Sequence, residues 1–134
     1  MHGLLVPAAL ALSLAGFVSV ASALPPGDPA RGEKVYERCQ ACHSLDRDRT
    51  GPHHAGLIGR RAGSVTGFAY SPAMKKAGAA GLVWNEDTLD KFLKAPTKFV
   101  PGTRMGYAGI KDDQERSDLI AYLKQASTTE AAKH

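Results

Sequence analysis

Both cysteines of this 134-residue chain stand close together, at Cys39 and Cys42, and His43 follows the second at once. Two thiols and an imidazole at this spacing suit three chemistries: a covalently attached haem, a metal ion, or a redox-active dithiol. A closed zinc site needs four ligands, and no second C-x-x-C or H-x-x-x-H accompanies the pair. A thioredoxin-like dithiol calls for a βαβ pattern, which the sequence lacks. C-x-x-C-H is instead the attachment signature of c-type haem. Thiols about one helical turn apart reach the two vinyl groups of a porphyrin and form thioethers, and His43 is then placed to offer an imidazole nitrogen to the iron. One haem c, covalent through Cys39 and Cys42, is the expected cofactor.

An iron so held needs a ligand on its other side. The candidates are Met105, Met74, His53 and His54. Gly102 and Gly106 flank Met105 and allow the backbone to come close to a flat ring. Met74 falls in a short capped helix, where core packing is the simpler role. His53 and His54 follow a proline in a loop near the attachment end, and solvated side chains are the expectation for both. Met105 is therefore the expected second ligand.

The elements that must position these groups are helical. Asp28 caps a first helix with Pro29 at its first position, and the segment "ARGEKVYERCQAC" carries it into the cysteine pair. Residues 44–70 are glycine-rich and aperiodic, a length of loop that needs something else to organise it. Ser71 and Pro72 open a short helix that Gly78 is expected to stop. Asn85 caps the next, with Leu89, Phe92 and Leu93 as its apolar stripe and Pro96 at its end. After a second loop, Asp112 and Glu115 stand at capping-box spacing before the last helix. Leu119, Ile120, Tyr122, Leu123 and Ala126 supply its buried face, and the tail "STTEAAKH" is expected to fray. The fold class is all-α: three main helices, a short one, and long loops wrapped around one covalent haem.

Gly3 to Leu24 carries no charged side chain. It reads as a secretory signal peptide, with an apolar run from about Leu4 to Val20 and Ala21-Ser22-Ala23 as the cleavage site. The expected division is a leader at 1–23 and one domain at 24–134, with a core of about 28–126; the alternative is an uncleaved membrane anchor. The formal net charge of +4 could attract nucleic acid, an anionic membrane or an acidic protein. Export and the lack of any nucleic-acid-binding motif exclude the first.

Further motifs appear in order along the chain: "GEKVYERCQACH", "TGP", "GLIGRRAG", "FAYS", "LVW", "FLKAP", "VPGTRM", "YAGIK" and "ERSDLIAYLK". From Gly32 to about Leu123 the sequence resembles a class I cytochrome c of the mitochondrial-type branch found in bacteria. The resemblance implies that the Pro52 carbonyl accepts from the His43 ring, and that Arg60, Tyr70 and Trp84 surround a buried haem propionate. It places Thr103 in the same region from the Met105 loop, and Gly32, Tyr36, Leu119 and Tyr122 at a contact between first and last helices. It also marks departures. Phe92 stands where many relatives carry Tyr, Met74 replaces a polar residue, and the loop after His43 is short.

These readings imply a periplasmic, soluble, monomeric one-electron carrier with iron ligated by His43 and Met105, and not an enzyme. Its expected partners are acidic docking surfaces of redox proteins: a quinol-cytochrome c reductase, a terminal oxidase, a reductase or a reaction centre. Arg38, Arg49, Lys98, Arg104 and Lys111 are the charges the resemblance places around the haem edge, with contact to a membrane surface only transient. The alternatives are a peroxidase or gas-binding c-type haem protein, and a dedicated electron-accepting subunit of a periplasmic dehydrogenase.

Overall fold

The computed structural model describes Gly3 and residues 23–133. The leader expected at 1–23 lies outside the described residues apart from Gly3 and Ala23. Five α-helical segments follow: α1 (Pro29–Tyr36), α2 (Pro72–Ala79), α3 (Glu86–Lys94), α4 (Pro96–Phe99) and α5 (Asp113–Ala131). Among the described residues the only β pairing is an isolated bridge between Arg61 and Val83. No described helix is long and apolar enough to cross a membrane.

The caps form as the side chains dictate. Asp28 accepts from the Ala30 and Arg31 amides, Ser71 from Met74, and Asn85 from Thr88, whose hydroxyl accepts the Asn85 N–H in return. Asp112 accepts from the Glu115 amide at 2.8 Å, but the expected box is only half built. The Glu115 carboxylate turns instead to Arg38, which binds it through both terminal nitrogens at 2.9 and 2.7 Å.

Four features differ from expectation. The first helix does not run α-helical through the cysteines; it tightens to a 3₁₀ turn over Glu37–Cys39. Gly78 does not stop α2. It lies inside the helix, where a Cβ would stand 1.9 Å from the Ala62 carbonyl oxygen, so the residue permits close packing on the loop. Gly81, at φ 100°, makes the turn. The tail does not fray at Ser127: α5 continues to Ala131, Ser127 is fully buried, and its carbonyl accepts the Gly56 amide at 3.0 Å. Pro96, expected only to end α3, is buried and opens the single turn α4.

The core forms where α1 crosses α5. A Cβ at Gly32 would meet the Asp118 carbonyl at 1.9 Å, so only glycine lets the backbones approach. Beside it the Tyr36 and Tyr122 rings lie 5.1 Å apart over fully buried Leu119. Asp118 clamps the same crossing, accepting from the Asp28 amide at 2.7 Å and from Arg31 Nε at 2.7 Å. Arg116, 1% exposed, is a charged strut: it reaches Asp90 on α3 at 2.6 Å, Asp113 at 2.5 Å and the Ile110 carbonyl at 2.9 Å. These contacts fix α3, α5 and the end of the 100–112 loop relative to one another.

Candidate haem-binding site

The 3₁₀ turn determines how the cysteines are presented. The Cys42 and His43 amides both return to the Cys39 carbonyl, at 3.1 and 2.9 Å, which folds the C-x-x-C-H segment into a single turn. Neither cysteine is paired in a disulfide; Cys39 is half-buried and Cys42 exposed.

The loop after His43 is more organised by its own backbone than its composition suggests. Gly51 donates to Cys42 at 2.7 Å, His54 to Ser44 at 3.0 Å, and Ala55 to Leu45 at 2.8 Å, so the chain returns along the segment it has just left. The Arg60 guanidinium then ties the loop together, donating to the Ala55 carbonyl at 2.9 Å and the His53 carbonyl at 2.8 Å. Its desolvation lowers its pKa from the ordinary arginine value. His53 is held by Asp48, with Nδ1 to carboxylate at 2.7 Å.

His43 is buried. Its Nδ1–H donates to the Pro52 carbonyl at 2.8 Å. A carbonyl only accepts, so the proton must sit on Nδ1 and the Nε2 lone pair is left for a metal. Burial lowers the His43 pKa, outweighing the opposing Pro52 bond, and favours the neutral ring that ligation needs.

Met105 reaches the site from the loop between α4 and α5. Gly102, at φ 90°, turns that loop, and the Met105 amide donates to Thr103 Oγ1 at 3.3 Å. A Cβ at Gly106 would meet no protein atom within 4 Å, so that glycine is not required by contact with the rest of the chain. At the far end Gly109, at φ 94°, passes so close to Lys94 that a Cβ would lie 2.3 Å from its carbonyl oxygen.

One cleft, with a cavity volume of about 290 Å³, brings all the expected groups together: Cys39, Cys42, His43, Pro52, Arg60, Tyr70, Trp84, Thr103 and Met105 all line it. The remaining walls are mainly apolar, from Leu57, Met74, Leu89, Phe92, Leu93, Leu119 and Leu123. Trp84 packs on Phe92 with ring centroids 4.9 Å apart, and the Tyr70 hydroxyl accepts the Val65 amide at 3.2 Å. Two free thiols, a neutral imidazole with one nitrogen available, a thioether and an apolar wall form the donor set and surroundings that a covalent haem requires. The residues fit the group.

His54, expected to be solvated, is half-buried. Its ring stacks on His43 with centroids 4.4 Å apart and planes 21° from parallel, and its Nδ1 lies 3.0 Å from the Tyr36 hydroxyl. Burial holds its pKa well below the ordinary histidine value. Its position two residues after Pro52 was the only sequence signal for this role. Arg38 also differs from a free surface cation, since Glu115 neutralises it.

A helical fold closed around a cleft of this composition defines a c-type haem protein. A family model for cytochrome c matches residues 29–127, and the chain belongs to the cytochrome c family as a class I, single-haem member. Its haem c is covalent through Cys39 and Cys42. The chain is similar to the cytochrome c2 of Rhodomicrobium vannielii, 44% identical over 117 residues that cover 85% of this chain and 91% of the relative. It is also similar to the cytochrome c of Chlamydomonas reinhardtii, 47% identical over 107 residues covering 77% and 93%. Among solved structures it resembles cytochrome cH from Methylobacterium extorquens, at 43% identity and a TM-score of 0.70, covering 74% of this chain and 99% of that one.

Proposed function

We propose that the chain is a one-electron carrier of the periplasm, exported by the leader at 1–23 and folded over 24–134, with His43 and Met105 as the two axial ligands of its haem iron. One observation carries this reading: His43, its imidazole anchored through Nδ1 by Pro52, and Met105 line the same mainly apolar cleft. If His43 and Met105 both hold the iron, the chain would leave no position on it for a substrate, and no residue is assigned a catalytic role. Bound haem supplies a ferric–ferrous couple, and a thioether ligand favours the ferrous state.

The chain's residues set the surroundings of that couple. Pro52 fixes the proton on the far nitrogen of His43. Arg60, braced by two backbone carbonyls, supplies the countercharge for a propionate, with Tyr70 and Trp84 beside it. Thr103 holds the amide of Met105. The apolar walls exclude water, which keeps polar reorganisation small when the charge changes.

Arg49, Lys98, Arg104 and Lys111 supply positive charge for encounter with acidic surfaces of a quinol-oxidising complex, an oxidase, a reductase or a reaction centre, while Arg38 is closed by Glu115. Contact with such partners, and with a membrane surface, is brief, and the carrier works as a monomer.

The test is the optical spectrum of the reduced, haem-loaded protein before and after carbon monoxide. An unchanged spectrum is expected. A prompt shift would show an open or easily vacated position and favour a peroxidase or gas-binding function instead.

A further inference from the structure

The hydrogen bond from His43 to Pro52 fixes one edge of the imidazole but leaves the plane of the ring free to rock about that contact. Two further contacts remove this freedom. Gly51 lies against the ring so closely that a Cβ there would stand 2.2 Å from Cε1. His54 covers a face, nearly parallel, with centroids 4.4 Å apart. His54 is fixed in turn: its amide donates to Ser44 at 3.0 Å, and its Nδ1 is bound by the hydroxyl of Tyr36, which is 1% exposed. Burial keeps the Tyr36 phenol protonated. Tyr36 is wedged against Tyr122 of α5, with rings 5.1 Å apart. A continuous series of packed rings therefore runs from the crossing of α1 and α5 to the imidazole that faces the cleft.

We propose that His54, held by Tyr36, is a positioning residue for His43, and that the pair sets the plane in which the imidazole meets the iron. This rests on His43 being an axial ligand. The chemistry suits the task. A flat ring stacks on a flat ring where a branched aliphatic side chain would not, and the hydrogen bond to Tyr36 stops the stacked ring from turning. The bond is lost in Tyr36→Phe whichever partner carries the proton, while the aromatic packing stays.

The test is the proton NMR spectrum of the ferric, haem-loaded protein, where the spread of the four haem-methyl resonances follows the orientation of the axial ligand plane. Tyr36→Phe and His54→Leu should each redistribute those resonances. The double variant should match His54→Leu alone, because Tyr36 acts through His54. Methyl resonances at wild-type positions in both single variants, even with a lowered melting temperature, would overturn the proposal, since general packing loss would then be the whole effect. Additive changes in the double variant would overturn the relay through His54. A wild-type spectrum without the signature of imidazole ligation would overturn the axial assignment itself, and so is distinguishable from either result.

Discussion

Around His43 the backbone closes on itself: Gly51 reaches back to Cys42, His54 to Ser44 and Ala55 to Leu45, while Pro52 and His54 hold the imidazole by its edge and face. Around Met105 the loop is fixed at its two ends, by the Val100 turn and by the Ile110 amide on Leu93 at 2.9 Å. Between those points it is held by the Thr103 contact, by Arg104 on the Ala69 carbonyl at 3.2 Å, by Lys111 on the Ala108 carbonyl at 3.1 Å and by the close pass of Gly109 against Lys94. The two proposed ligands of the iron thus sit in different mechanical settings. Segments with few backbone bonds open at lower free energy than those with many. The imidazole side is built to stay, and the thioether side is where ligation can be lost while the fold persists.

The sharpest way to break this comparison is to add one methyl group on each side. Gly51→Ala would drive a Cβ into the His43 ring and should cost about 3 kcal/mol, read from denaturant unfolding. Gly106→Ala meets no protein atom but lines the haem cleft, so it should cost less than Gly51→Ala, about 1 kcal/mol. Similar losses for the two would erase the asymmetry.

Next comes the support under the imidazole side. Asp118 clamps α1 to α5, and hydrogen bonding to Arg31 lowers its carboxyl to about 2 from an ordinary 3.8. A carboxylate depressed in the fold contributes stability above its unfolded pKa and loses it as the pH falls through its folded value. Asp118→Asn should therefore cost about 2 kcal/mol at pH 7. It should also flatten the acid limb of the stability curve between about pH 4 and pH 2, as measured by unfolding at a series of pH values.

On the other side, Thr103→Val removes the acceptor of the Met105 amide and should cost about 1 kcal/mol. Because it loosens only the loop, carbon monoxide should gain access to the reduced iron faster than in the wild type. An unchanged rate would show that the loop does not depend on that bond. The smallest effect belongs to the rim. Arg38 and Glu115 are both substantially exposed, so Glu115→Gln should alter stability by no more than about 1 kcal/mol. It frees a cation, however, and should steepen the salt dependence of electron transfer to an acidic partner.

Local features were legible in the sequence wherever local chemistry decides them. Asp28, Ser71, Asn85 and Asp112 each cap the helix their side chains announce, and the stripe of Leu89, Phe92 and Leu93 is buried as its spacing requires. The nine expected site residues converge on one cleft because an attachment motif and a family resemblance carry long-range information that composition lacks. What stayed hidden depends on partners distant in sequence. His54 reads as a polar loop residue until Tyr36 and His43 are seen around it. Gly78 reads as a stop until Ala62 is seen against it. Ser127 reads as frayed tail until Gly56 is seen to bind its carbonyl. Arg116 has Asp113 and two carbonyls close in sequence, but nothing local shows that Asp90 on α3 completes the set that lets this charge be almost unexposed.

The pairing of His43 with Met105 is tested most directly by proton NMR of the reduced, haem-loaded protein, with the methionine methyls assigned through Met74→Leu and Met105→Leu. A methyl on a ligating sulfur lies over the porphyrin face, and the ring current moves its resonance far upfield. One such signal is expected, present in Met74→Leu and missing from Met105→Leu. A displaced methyl that vanishes with Met74 instead, or no displaced methyl at all, would contradict it.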